Sequence, residues 1–207
     1  MFYFTKTPSF LKAIYKSCTW SLSPMAPKVY ITFDDGPHPT ITPFVLEQLK
    51  KYDAKATFFC IGKNVVNHPE IYQQILNEGH AVGNHTHNHL NGWKVGTDKY
   101  LANIFEARKY IDSHLFRPPY GRISPFQIKQ LTTQKPPYKI IMWDVLSADF
   151  DTNITGEQCV QNVVFKVQKG SIVVFHDSEK AFERLEYALP RVLEFCKKQG
   201  WSMEKLD

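Results

Sequence analysis

Two adjacent carboxylates, Asp34 and Asp35, close a short β-rich run and lead at once into Gly36-Pro37. Neighbouring side chains after a strand point to different sides, so one carboxylate can hold a metal while the other stays free as a base. Gly36 and Pro37 then turn the chain sharply. An Asp-Asp-Gly-Pro on its own is most often just a turn. His85 and His89 come next, four residues apart. On a helical turn both imidazoles would face one way, as metal ligands must. Asp35, His85 and His89 together make a two-nitrogen, one-oxygen set with open positions, the form of a catalytic zinc site. Such a set accepts zinc, cobalt or nickel, and one divalent ion, zinc first, is the expected cofactor. A structural zinc would need a closed, cysteine-rich set. Cys18, Cys60, Cys159 and Cys196 form no C-x-x-C and read as free buried thiols, which favours a reducing compartment. His87 is expected on the opposite side in solvent, and His68 and His80 as surface or capping residues.

Three more groups carry chemical potential. Arg117 opens Arg-Pro-Pro-Tyr-Gly. Its charge is permanent, so beside Asp34 it would hold that carboxylate in place and ionised. The two prolines stiffen the loop enough to aim the Tyr120 N–H at a reacting carbonyl. Trp143-Asp144 and Asp149-Phe150 follow. His176 ends an apolar run as Phe-His-Asp-Ser. A histidine there suits a general acid, and an acidic partner would raise its pKa towards working pH.

Short β-rich runs alternating with helical stripes must position these residues. Strands are expected at 29–33, 56–61, 81–84, 115–117, 140–143, 171–175 and 201–204. Helices are expected at 42–52, at 69–78 with Ile71, Ile75 and Leu76 buried, around Leu101–Ile111, at 126–133 behind an N-cap at Ser124, around Val160–Val167, and around Leu185–Cys196 with a kink or restart at Pro190. Alternation of this kind means βαβ units and a parallel sheet. Six or seven units without a Gly-rich nucleotide turn fit a barrel or an open sheet. Asp34-Asp35, His85, Arg117, Asp144 and His176 each follow an expected strand. In a barrel those strand ends converge on one face, which favours the barrel.

With 207 residues, 43% of them hydrophobic and 22% charged, the chain has the composition of a globular domain, and a disordered or collagen-like reading fails. A net charge of +5 without a Lys/Arg run gives no footprint for nucleic acid. No apolar run is long enough to span a membrane. Phe2-Tyr3-Phe4 is broken by Thr5-Lys6-Thr7-Pro8, with no apolar core of a signal peptide behind it. A cytoplasmic location is therefore expected. Phe10, Leu11, Ile14, Tyr15 and Cys18 recur at helical spacing, which predicts a short amphipathic helix packed on the domain, or else a membrane-surface anchor. Residues 1–28 are read as this N-terminal segment and 29–207 as the domain.

In this order and spacing, Thr32-Phe33-Asp34-Asp35-Gly36-Pro37, the His85/His89 pair, Arg117-Pro118-Pro119-Tyr120-Gly121, Asp149 and Phe175-His176 resemble the polysaccharide deacetylase family, the NodB-homology domain of carbohydrate esterase family 4. The resemblance covers about residues 29–206. It implies an α/β fold, an irregular (β/α)7 TIM-like barrel. It also implies Asp35, His85 and His89 as metal ligands and Asp34 as catalytic base, oriented by Arg117. The N–H of Tyr120 would serve the oxyanion hole, and His176 would be the acid tuned by Asp149. Trp143, Tyr120 and the apolar residues before His176 would wall the acetyl pocket. Two positions depart from the family pattern: Phe150 stands where Trp is usual, and Val174 where Leu is usual. Both bear on pocket shape rather than on the reacting groups.

The activity implied is metal-dependent hydrolysis of N-acetyl groups on an N-acetylglucosamine-containing saccharide, peptidoglycan or chitin-like, by a monomer. Removal of O-acetyl esters from a polysaccharide such as xylan is the nearest alternative. A non-catalytic, metal-bearing sugar-binding protein has no need of a base and an acid. A metal-dependent phosphoesterase would want more cationic groups than Arg117 supplies.

Overall fold

The computed structural model describes residues 3–207; Met1 and Phe2 of the N-terminal segment lie outside the described residues. Strand β1 (Lys28–Asp34) is the centre of a parallel sheet. On one side of it lie β2 (Ala56–Cys60), β3 (Ala81–Asn84), β4 (Leu115–Phe116) and β5 (Lys139–Ile140), in that order. On the other lie β7 (Ile172–His176) and then β6 (Val145–Leu146). A short β8 (Ser202–Met203) pairs with the start of β1. Helices α2 (Ile41–Lys51), α3 (Gly62–Asn67), α4 (Pro69–Asn77), α5 (Thr97–Arg108), α6 (Pro125–Thr132), α7 (Gly156–Val164) and α8 (Glu179–Lys198) connect the strands. The sheet curls into the irregular barrel expected.

The two-residue period of the strands divides the chemistry from the core. Val29, Ile31 and Phe33 of β1 join Ala56, Phe58 and Cys60 of β2 and Val173 and Phe175 of β7 in the helix-covered core. Phe33 stacks between Phe58 and Phe175, at centroid distances of 5.0 and 6.2 Å. The opposite phase, Thr32, Asp34, Phe59, Ile172 and His176, faces the inside of the curl. The polar members of that phase lie at or near the C-terminal ends of β1 and β7. All four cysteines are free and buried. No described helix is long and apolar enough to cross a membrane.

The gap between β5 and β6 is crossed directly by residues 141–144 and covered by the N-terminal segment. Thr19 N–H donates to Ile140 O, and Met142 N–H to Thr19 O, on the β5 side. Thr7 N–H donates to Asp144 O, and Leu146 N–H to Thr5 O, on the β6 side. The expected amphipathic helix is only Ser9–Ile14 (α1) and buries none of its own residues. Extended residues on either side of it make the attachment.

Several expectations need correction. The fifth strand stops at Ile140, and a separate strand, β6, follows at Val145. Asp144 therefore precedes a strand and sits at the end of the barrel away from the catalytic rim. There it is buried against Lys6 Nζ and Lys12 Nζ, each at 2.6 Å, and Ser171 Oγ at 2.6 Å. Helix α8 continues through Pro190 without restarting. Its long buried stripe, from Leu185 to Cys196, outweighs the roughly 3 kcal/mol that an internal proline costs. Leu76 is exposed, because α4 buries only Ile75. His80 is buried, its Nδ1 accepts the Ala56 N–H, and burial pushes its pKa down to about 4. His87 is not free in solvent: its ring lies beside Tyr110, and its Nδ1 is buried without a partner.

Candidate active site

The rim is built from the residues that leave each strand. Asp34, the last residue of β1, is the register partner of His176, the last residue of β7. Neighbouring register partners present their side chains on the same face. The two groups read as base and acid thus stand side by side inside the curl.

Arg117 enters from the end of β4 and is fully buried. Its Nη1 donates to Asp34 Oδ1 and to Thr32 Oγ1, both at 2.7 Å. Its Nε and Nη2 donate to the carbonyls of Ile141 and Met142, at 3.2 and 3.1 Å. The guanidinium lies 4.0 Å from the Phe59 ring centroid. A buried cation with this many acceptors stays charged and leaves Asp34 little freedom. The carbonyl of Arg117 faces His85 Nδ1 at 2.8 Å. A proton on Nδ1 answers that carbonyl and leaves the Nε2 lone pair free. Burial holds the His85 pKa down to about 4, so the ring is neutral at pH 7.

Asp35 follows in the left-handed region, at φ 82°. Its Oδ1 lies 3.7 Å from His85 Nε2 and 3.2 Å from His89 Nε2. The three ligand atoms lie within 4.8 Å of one another. Asp35 Oδ1 is nonetheless buried without a hydrogen-bond partner. Burial opposes charge on Asp35, but His89, His176 and His85 outweigh it and keep the carboxyl well below the usual range. An ionised oxygen without a donor, facing two imidazole nitrogens, fits a divalent cation. The helical turn expected between the histidines is absent. Thr86 and His89 have φ 65° and 55°, and side chains shape the loop. Asn84 Oδ1 accepts the Thr86 N–H at 2.8 Å, and Thr86 Oγ1 accepts the Leu90 N–H at 3.1 Å.

His176 Nδ1 lies 2.7 Å from Asp149 Oδ1, and its own N–H donates to Asp149 Oδ2 at 2.7 Å. Nε2 is left for a ligand. Burial opposes protonation of the ring, but the charge and hydrogen bond of Asp149, helped by Asp35 and Asp34, raise its pKa to about 9. Asp149 is held in turn by Arg184, whose Nε donates to its carbonyl at 2.7 Å.

Tyr120 is left-handed at φ 61°, and its N–H donates to no backbone carbonyl among the described residues. Its ring lies 4.6 Å from that of His89. Gly121 beside it has φ 65°, and a Cβ there would strike the Trp143 indole, so Trp143 underlies this loop. Phe150 meets His176 edge-on at 5.2 Å and Tyr3 at 5.6 Å. Val174 is buried and is the register partner of Thr32.

Sequence reasoning missed Thr32, Asn84, Arg184 and Asp177. The first was legible: a threonine two residues before Asp34 shares its face in a strand. Asp177 accepts the Gly36 N–H at 3.0 Å and the Thr42 hydroxyl at 2.5 Å, and burial raises its pKa to about 8.

A family model for polysaccharide deacetylase matches residues 22–135. A peptidoglycan-N-acetylglucosamine deacetylase of Bacillus cereus is 37% identical over 189 residues, spanning 88% of each chain. A chitooligosaccharide deacetylase of Azorhizobium caulinodans is 36% identical over 157 residues, 72% of this chain and 73% of that one. The crystal structure of the Bc1960 peptidoglycan N-acetylglucosamine deacetylase superposes with a TM-score of 0.87 at 30% identity, covering 97% of this chain and 95% of that one. Sequence likeness of this extent, over a barrel with one polar rim, is that of common descent: the chain belongs to the polysaccharide deacetylase family, the NodB-type enzymes of carbohydrate esterase family 4.

Proposed function

We propose that the chain is a metal-dependent N-deacetylase acting on N-acetylglucosamine units of a peptidoglycan- or chitin-like saccharide, releasing acetate and leaving a free amine. The observation that carries this reading is the register pairing of Asp34 with His176, each locked by its own partner beside the Asp35/His85/His89 cluster. The deacetylase relatives support the substrate class.

Asp35, His85 and His89 would hold the metal. A divalent cation bound there supplies an acidified water and a Lewis acid for the acetyl oxygen. Asp34 takes the proton of the attacking water, and Arg117 keeps it oriented for that step. The Tyr120 N–H donates to the developing oxyanion, where one such donor is worth about 3 kcal/mol. His176 gives its Nε2 proton to the departing sugar nitrogen, and Asp149 stabilises the imidazolium beforehand. Phe150 and Trp143 flank the acid and the oxyanion loop and limit what fits between them.

The test is acetate release from N-acetylglucosamine oligomers, peptidoglycan fragments and acetylated xylan, with zinc or cobalt added. Asp34→Asn and a chelated sample serve as controls. Acetate from the N-acetyl substrates, lost in both controls, is the expected result. Acetate from xylan alone would make the chain an O-acetyl esterase. No acetate from any substrate by metal-loaded protein would refute the catalytic reading.

A further inference from the structure

We propose that Asp177 is a positioning residue for the metal site: its carboxyl group clamps the turn that aims Asp35 at His85 and His89. The inference rests on the reading of those three residues as ligands. Asp177 is 1% exposed and follows His176 directly. Its N–H donates to the Asp34 carbonyl at 3.1 Å, and its Oδ1 accepts the Gly36 N–H at 3.0 Å. One residue therefore grips the chain immediately before and immediately after Asp35. Its Oδ2 accepts the Thr42 hydroxyl at 2.5 Å, and Thr42 Oγ1 accepts the His38 N–H at 2.8 Å. The clamp thus reaches the start of α2.

The turn needs such a hold. Asp35 is left-handed at φ 82°, a conformation strained for any residue with a Cβ. From the β2 side, Asn64 Nδ2 donates to the Asp35 carbonyl at 2.7 Å, and the Ile61 N–H to the Gly36 carbonyl at 2.9 Å. Asp177 supplies the restraint from the β7 side. Gly36 is required for its approach, because a Cβ there would collide with the Asp177 carboxylate. Two donors converge on Asp177 and its two oxygens accept one each, while an asparagine accepts from one and must donate to the other.

Outer-shell partners of this kind are typically worth 10–100-fold in metal affinity. Zinc affinity is to be measured by competition with a chromophoric chelator, and cobalt uptake by its visible absorption, well below each variant's melting temperature. Asp177→Ala is expected to lose about 10–100-fold in zinc affinity. Asp177→Asn should recover part of the loss, and Thr42→Val should lose less than Asp177→Ala. Val163→Ala, a core truncation on α7 away from the site, should keep wild-type affinity despite its lower stability. Zinc uptake by wild type with equal affinity in folded Asp177→Ala and Thr42→Val would overturn the inference and leave the metal site standing. Loss in Val163→Ala equal to that in the Asp177 variants would reduce Asp177 to a general stabiliser. No uptake by wild type would overturn the metal reading, and this inference with it.

Discussion

Replacing Asp149 by Asn tests the acid most directly, because it keeps the shape of the partner and removes only its charge. Burial alone would press His176 below its ordinary value of 6.5; Asp149 is the largest of the groups that lift it to about 9. A lift of this size corresponds to about 3 kcal/mol of preference for the imidazolium. At pH 8 a group of pKa near 9 is about 90% protonated, and one at 6.5 only about 3%, a difference of roughly 30-fold. Asp149→Asn should therefore move the alkaline limb of kcat/KM down by about two pH units or more, with the largest loss near pH 8. A bound dication offsets the help from Asp34 and Asp35, so the wild-type limb in loaded enzyme falls below 9, but the Asp149 contribution remains. The folding equilibrium supplies a second readout. A pKa raised in the folded state stabilises fully below the unfolded value, and that stability is lost as pH rises through the folded one. Metal-free wild type should lose stability between about pH 6.5 and 9, and Asp149→Asn should lose less over that window, the raised Asp177 carboxyl keeping its own share up to about pH 8. Steady-state rates from pH 5 to 10 and urea midpoints across the same range decide the matter. An alkaline limb that stays in place in the variant would refute the assignment of His176 as the acid.

Arg117→Met leaves Asp34 buried without a counter-charge and strips donors from two carbonyls and Thr32. Urea unfolding should show a loss of about 3–5 kcal/mol, and Arg117→Lys should restore only part of it. His85→Ala is expected to lose both zinc uptake and turnover. His176→Ala is expected to lose turnover alone, so calorimetric zinc titration of both variants separates ligand from acid. Asp144→Ala removes the common partner of Lys6 and Lys12 at the far end of the barrel. After discounting for solvent at the two lysines, it should cost about 2–3 kcal/mol in a urea melt. Its kcat/KM should be near wild type, and a large kinetic loss would show that the N-terminal segment shapes the site.

The strand-and-helix alternation was legible because most core strands are apolar runs with clear stops. Ala56–Cys60 and Ile172–His176 fall within a residue or so of the expectation. The short connection between β5 and β6 was not legible. Two two-residue strands separated by Ile141-Met142-Trp143-Asp144 carry no period, and reading 140–143 as a strand put Asp144 at the wrong end of the barrel. The residues proposed as ligands, base, acid and their partners were all named from the sequence, because their motifs in this order and spacing resemble those of the family, whereas each motif alone reads as readily as an ordinary turn or rim residue. Their supports were not named, for a physical reason. Arg184 and Asp177 act on backbone groups far away in the chain and Asn84 on that of Thr86, and a backbone group leaves no mark on the sequence.

The backbone itself shows how the rim is organised. Among the described residues, six non-glycine positions have positive φ, and five of them are Asp35, Thr86, His89, Tyr120 and Ala148. Two of these are candidate ligands, one lies between the histidines, one carries the oxyanion loop and one precedes Asp149. Each costs roughly 1–2 kcal/mol relative to ordinary backbone, and glycine would remove the cost. At Asp35 and His89 glycine would also remove the group that faces the metal position, so the strain stays. What offsets it is visible in the same loops: the Asn84 and Thr86 side chains between the histidines, Asn64 and Asp177 around Asp35, and Ser147 Oγ, which accepts the Asp149 N–H at 3.3 Å. The sharp bends let side chains from β1, β3, β4 and β7 reach one small volume that straight continuations of those strands would miss. Rigidity at this rim is thus assembled from side-chain bonds to backbone, one loop at a time, on a barrel whose apolar phase has already fixed the strand ends.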